Sequence, residues 1–135
     1  MKPSKEKNNI HDLNYRAEIL CIGSELLLGD IVNTNAQWLA EQLAILGIAH
    51  FRQTVIGDNH FRLKEAILEA SNRSEILITT GGLGPTPDDI TTWVIADTFN
   101  TPLEQRTDIL IDLKNKLRNK DSKLSQSQKK QSLVP

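Results

Sequence analysis

ILITTGGLGPTPDD, residues 76–89, is the stretch that decides the fold, because an apolar run of Ile76, Leu77 and Ile78 empties into a turn carrying Gly81, Gly82 and Gly84. Such a run is expected of a strand covered by helices on both faces of a parallel sheet. The glycines remove side chains that would forbid positive φ angles or hold a ligand away from the main chain. A helix is expected next, with Thr86 as N-cap, Pro87 in the first helical position and Asp89 as the acid of a capping box. Ligands of open α/β sheets bind beyond the carboxyl ends of the strands. This turn is therefore the first candidate site.

Upstream, AEILCIG at 17–23 has the β-branched, apolar character of a first strand. A helix follows from Thr34, where Thr34 and Gln37 read as a capping box, Leu39, Leu43 and Leu46 line one face, and Gly47 supplies the stop. Alternation over 48–56 suggests a strand nearer the sheet edge, GDN makes a turn, and a helix over 60–72 aligns Leu63, Ala66, Ile67 and Ala70. The βαβαβ rhythm implies a parallel sheet with right-handed crossovers, and so a three-layer α/β/α sandwich. Beyond the turn, Ile90, Val94 and Ile95 carry a third helix that Thr101 and Pro102 break. A fourth is expected from Glu104, using Ile109, Leu110, Leu113 and Leu117.

The 135 residues suit one domain, and 39% hydrophobic content excludes wholesale disorder. Residues 1–16 read as a disordered extension, 17–118 as the folded domain and 119–135 as a polar basic tail. The net charge of −1 conceals an asymmetry: residues 114–130 hold seven Lys/Arg against Asp121 alone, a balance of +6 that leaves −7 elsewhere. With no aromatic residue to stack on bases, the tail is expected to be solvated and poorly ordered rather than to bind nucleic acid. Cys21, the only cysteine, excludes an intrachain disulfide and fits a reducing cytoplasm. No run approaches the ~18 apolar residues of a membrane span, and no signal-peptide pattern opens the chain.

Three glycines at a strand end before a helix N-terminus can form an anion cradle of free N–H groups, or simply a tight connection. The spacing matches neither GxGxxG nor the Walker pattern. Asp88 and Asp89 read as helix caps, or as ligands of a divalent cation that would relieve their repulsion of a bound phosphate. Glu25 follows the first strand, while Asn33 and Asn35 precede a helix, so these three side chains are expected to converge near the glycine turn. His11, His50 and His60 have no metal-ligand spacing. Gly82→Val is expected to damage ligand binding before stability.

AEILCIGSELLLGDIVNTNAQWLAEQLAILG, TVIGDN and ITTGGLGPTPDDIT together resemble the N-terminal domain of the CinA (competence/damage-inducible protein) family, within the molybdopterin-binding domains of molybdenum-cofactor biosynthesis. The resemblance covers 17–103 and continues faintly to SLVP at the end. It implies a molybdopterin-binding-like fold and a divalent-metal-dependent ADP-ribose pyrophosphatase activity. Carried over by position, Gly81, Gly82, Gly84 and Thr86 would handle phosphate, Asp88 and Asp89 would be the catalytic acidic pair, and Glu25, Asn33 and Asn35 would line the pocket, with Glu25 joining the two aspartates on the metal. Relatives continue past the equivalent of Pro135 into further strands, a pocket-closing loop and a nicotinamide-mononucleotide deamidase domain, so the domain is expected to be incomplete at its C-terminal end. Three readings follow: a hydrolase of a nucleotide-sugar pyrophosphate, a non-catalytic module for a pterin or nucleotide, or an inactive remnant. A homo-oligomer is expected, through an open sheet edge.

Overall fold

The computed structural model describes residues 15–117 and 124–135. The elements are β1 (Arg16–Ile22), α1 (Ser24–Leu28), α2 (Thr34–Ile45), β2 (Ala49–Ile56), α3 (His60–Arg73), β3 (Ile76–Thr80), α4 (Thr91–Phe99), β4 (Glu104–Gln105), α5 (Thr107–Leu117), α6 (Gln126–Lys129) and β5 (Leu133–Val134). A single 3₁₀ turn, Lys130–Ser132, separates α6 from β5. The extension read over 1–16 lies outside the described residues except at its end, where Arg16 already belongs to β1.

β1 is the axis of the sheet, paired in parallel with β2 on one side and β3 on the other, in the order β2-β1-β3. Its residues from Ala17 to Ile22 are all buried, and their alternation sorts them between two cores. Leu20 and Ile22 pack with Leu63, Ile67 and Ala70 of α3 and Val94 of α4. Ala17, Ile19 and Cys21 pack with Ala36 and Leu43 of α2. Burying one such Leu or Ile side chain is worth roughly 1.5–3 kcal/mol. The chain leaves β1 for β2 through α2, then reverses across β1 to β3 through α3. With both crossovers of one hand, that reversal puts α3 on the opposite face from α2, and three layers result.

The expected strand over 48–56 is the edge strand β2, and it is irregular. Its register with β1 slips between Ala17 and Glu18, so that Phe51 has no partner. β3 differs from the reading of a strand fully covered on both faces. Leu77 packs toward one core and Ile76 and Ile78 toward the other, yet all five of its residues are only half-buried, since β3 has a partner on one side alone. Among the described residues both edges of the three-stranded sheet are unpaired.

Three local expectations are corrected. The third helix begins at Thr91 rather than at Pro87 after a Thr86 cap, because residues 86–89 close a turn of their own, Asp89 N–H donating to the Thr86 carbonyl at 3.2 Å. The fourth begins at Thr107, since Glu104 and Gln105 pair antiparallel with Val134 and Leu133. That pairing also corrects the solvated tail over residues 124–135: α6, the 3₁₀ turn and β5 pack back on the domain and Ser132 is fully buried. Composition misled here because a few backbone and serine hydrogen bonds, rather than apolar periodicity, hold the segment. Residues 118–123 of the tail lie outside the described residues. Among the described residues no helix is long and apolar enough to cross a membrane.

One ionic pair inside the sandwich was not legible from the apolar pattern. Glu18, in the middle of β1 and fully buried, accepts two bonds from Arg73 at the end of α3, from Nη2 at 2.6 Å and from Nε at 2.8 Å. The fork geometry satisfies both carboxylate oxygens at once. A second pair, Arg16 with Glu75 at 2.9 Å, ties the starts of β1 and β3 at the surface and holds the Glu75 carboxyl down at about 2. Removing one partner of a buried pair leaves the other desolvated and alone, which costs roughly 3–5 kcal/mol. Arg73→Ala should therefore lower the unfolding free energy by about 3 kcal/mol in urea titration, whereas Glu18→Met, which leaves Arg73 free to turn outward, should cost less than half as much.

Candidate functional site at the carboxyl end of the sheet

β3 ends at Thr80, and the chain turns at once with φ +93° at Gly81 and +62° at Gly82, the left-handed region that glycine occupies without strain. Packing makes the same demand. A Cβ at Gly81 would lie 1.9 Å from the Ile22 carbonyl oxygen, and one at Gly82 would lie 2.3 Å from Thr91 Oγ1. Thr91, fully buried at the start of α4, donates its hydroxyl to the Gly81 carbonyl at 2.8 Å and its N–H to the Gly82 carbonyl at 3.1 Å. The turn is thus pressed onto the end of β1 and fastened to α4. The expectation that Gly82→Val harms binding first is corrected, because the added side chain meets Thr91 and a disallowed φ before any ligand.

The cradle expected at a helix start does not form there, since α4 begins only at Thr91, and the N–H of Thr86 meets the protein's own carboxylate. Asp89 Oδ2 accepts from Thr86 Oγ1 at 2.6 Å and from Thr86 N–H at 2.8 Å. The Thr86 hydroxyl is the main cause that holds the Asp89 carboxyl below its ordinary 3.8, helped by the N–H groups of Thr86 and Gly84 and by the charge of Lys130, while burial opposes it. A Cβ at Gly84 would stand 2.6 Å from Asp89 Oδ2, so a side chain there would push the carboxylate aside. On the carbonyl side of the loop, Lys130 Nζ donates to Thr86 O at 2.8 Å and Asp89 O at 2.5 Å. Asp88 is exposed.

Because the chain departs from β1 to one side and returns on the other, a crevice opens between the carboxyl ends of β1 and β3, the switch point where open α/β sheets bind ligands. A cavity of about 130 Å³ occupies it, lined by Glu25 of α1, Asn33, Asn35, Thr80 and Gly81. The expected convergence of Glu25, Asn33 and Asn35 on the glycine turn is what the fold produces. Asn33 caps α2, its Oδ1 accepting from Ala36 N–H at 3.3 Å, and its Nδ2 is buried with no partner among the described residues. Asn35 Nδ2 reaches Thr80 Oγ1 at 3.2 Å. A second cavity of about 320 Å³ lies beside it, lined by Gly82, Gly84, Asp89, Trp93, Lys130 and Gln131.

The residues assigned from sequence therefore divide into two groups. Glu25, Asn33, Asn35 and Gly81 line one cavity, Gly82, Gly84 and Asp89 the other, and Thr86 serves the loop. Among the described residues no three His, Cys, Asp or Glu side chains are grouped to hold a metal ion. Sequence reasoning missed Thr91, Trp93, Lys130 and Gln131. The first stands where a helix start was expected to be already past, and the last two lie in a stretch whose composition reads as solvent-exposed.

Comparison with known proteins bears on this arrangement. A family profile described as "Probable molybdopterin binding domain" matches residues 18–130. The chain is 80% identical over its whole length to a CinA-like protein of Prochlorococcus marinus strain NATL1A and spans 31% of that protein. It is 62% identical over 118 residues to a CinA-like protein of Synechococcus sp. strain RCC307, of which it spans 28%. Among solved structures, the protein CinA of unknown function from Thermoplasma acidophilum superposes with a TM-score of 0.81 at 30% identity, over 90% of this chain and 70% of that one. A structure of MogA superposes at 0.57 with 25% identity, over 61% and 54%.

The loop's internal anion has a pH signature. Since the folded Asp89 carboxyl is more acidic than the unfolded one, its stabilisation of the loop is complete above about pH 4 and is lost as pH falls through the lowered value. The Thr86 amide proton should therefore titrate with a midpoint below 3.8, and Asp89→Asn should abolish that transition in an NMR titration.

Proposed function

The chain belongs to the molybdopterin-binding domain family, as a CinA-like member, and on that premise we propose that it is a binding domain for a phosphorylated nucleotide-sugar or pterin-like small molecule seated against the Gly81–Gly82 turn. The observation that carries this reading is the crevice between β1 and β3, where an α2 cap, an unsatisfied Asn33 amide donor and a side-chain-free backbone meet at the switch point of the sheet. The crevice cavity alone is smaller than the roughly 300–1,000 Å³ of small-molecule sites, whereas the cavity on the other side of the turn falls in that range by itself. A ligand with two parts, a phosphate and a flat ring, suits such a divided space. The matching family profile's description as a probable molybdopterin binding domain supports a pterin-like ring among the candidates.

The hydrolytic reading, divalent-metal-dependent cleavage of ADP-ribose, asks Asp88, Asp89 and Glu25 to share an ion. Their positions do not fit that request: Asp89 is committed to Thr86 and Gly84, Asp88 is exposed, and Glu25 lines the other cavity. No step is therefore routed through a metal, and binding without turnover is the function the geometry favours. Residence in a reducing cytoplasm, with Cys21 a buried thiol, and self-association through an open sheet edge belong to the same proposal. Because the chain spans about a third of its curated relatives' length, any activity of the longer proteins is part of the proposal as well.

Calorimetry with ADP-ribose in the presence of a chelator tests this directly. Asn33→Asp keeps the acceptor that caps α2 but puts a partnerless carboxylate oxygen where the buried Nδ2 stood, so the melting temperature should fall slightly, the helix N-terminus offsetting part of the loss. The new negative charge in the crevice should weaken ADP-ribose binding by about tenfold. Absence of binding by the unmodified chain would refute the reading. Release of AMP from ADP-ribose with magnesium or manganese would replace it by the hydrolytic one.

A further inference from the structure

Building on the reading that the crevice binds a phosphorylated ligand, we propose that Lys130 is a positioning residue of that site, and that residues 124–135 are a working part of the binding domain. The loop over 83–89 has no helix or strand to shape it. Its carbonyls need partners, and three of them find these on one short segment: Thr86 O and Asp89 O on Lys130 Nζ, and Leu83 O on Gln131 Nε2 at 3.4 Å. In a planar peptide the N–H points away from the carbonyl before it. Taking the Leu83 and Asp89 carbonyls therefore directs the Gly84 and Ile90 N–H groups away from the segment, and Asp89 Oδ2, close against Gly84, accepts the Thr86 N–H at 2.8 Å. The loop is held as a sandwich, with an anion on its N–H side and a cation on its carbonyl side.

Lys130 is itself well placed to bear this load, because the chain on both sides of it is anchored. Ser125 and Gln128 form a reciprocal capping box that starts α6. Downstream, buried Ser132 donates to Lys129 O at 2.7 Å, accepts from Gln105 Nε2 at 3.2 Å, and its carbonyl accepts the Arg106 N–H at 2.8 Å. β5 then pairs with β4. An ammonium carried on a flexible stem costs entropy to fix, and this scaffold offsets that cost before any ligand arrives. Lys130 lines the second cavity but not the crevice cavity, and its Nζ is taken by the Thr86 and Asp89 carbonyls, so its effect on a ligand in the crevice is transmitted through the backbone of residues 81–89.

The test uses the whole chain with Lys130→Met, which keeps the length of the stem and removes the charge, and Lys130→Arg, which restores a cation. Hydrogen exchange is read at the amides of residues 83–90 without ligand, and ADP-ribose affinity is read by calorimetry. In Lys130→Met, loop exchange should rise and affinity fall, each by about tenfold, while amides of β1 and α3 keep their protection. Lys130→Arg should recover much of both. Unchanged loop exchange in Lys130→Met overturns the proposal, and so does faster exchange with unchanged affinity. If the unmodified chain binds no ADP-ribose, the ligand reading fails on its own, and the exchange measurement still decides whether Lys130 holds the loop.

Discussion

The close approach of the Gly81–Gly82 backbone to the end of β1 is the constraint on which the carboxyl end of the sheet depends. With the Ile22 carbonyl where a Gly81 Cβ would sit, and Thr91 where a Gly82 Cβ would sit, neither position accepts a side chain. That contact fixes the direction in which the chain leaves β3, and with it the start of α4 and the placement of Thr91. It also leaves the wall of the crevice bare on that side. Conformational need and steric need coincide at these two residues, so a functional meaning for their lack of side chains does not have to be invoked separately from the structural one.

Charge is arranged around the same turn with each group given a local partner. Asp89 faces N–H groups and a hydroxyl, and Lys130 faces carbonyls. From sequence, a pair of adjacent aspartates beside glycines reads either as helix caps or as ligands of a divalent cation. In the structure Asp89 accepts from the Thr86 N–H and hydroxyl, and Asp88 is exposed. The −7 of the body and the +6 of residues 114–130 meet at this point in part, where Lys130 reaches the acidic loop. Glu18 and Arg73 show the same economy inside the sandwich, a buried carboxylate tolerated because a forked donor satisfies both of its oxygens.

Apolar pattern made the layers legible: β1, α2, β2, α3 and β3 stand where the runs and periodicities of Ala17, Leu43, Ile56, Leu63 and Ile76 put them, and strand alternation with helices required the parallel sheet. Glu25, Asn33 and Asn35 were legible as neighbours of the glycine turn because short connections at one end of a βα unit leave little room elsewhere. What escaped was long-range polar chemistry. Nothing local tells Lys130 that its partners are the carbonyls of Thr86 and Asp89, more than forty positions away, or that Gln105 will pair with Leu133 rather than begin a helix. The short helix α1 within SELLL was hidden for another reason. Three leucines between two glycines have no period that separates one helical turn from a loop.

Mapping amide shifts by NMR during an ADP-ribose titration is the direct test of the crevice between β1 and β3, with the glycine turn, as the proposed ligand site. Binding there should gather the perturbations at residues 23–35 and 80–91, with the amino-terminal ends of β1, β2 and β3 unaffected. Shifts gathered at those amino-terminal ends, or none at all at millimolar ligand, would contradict it.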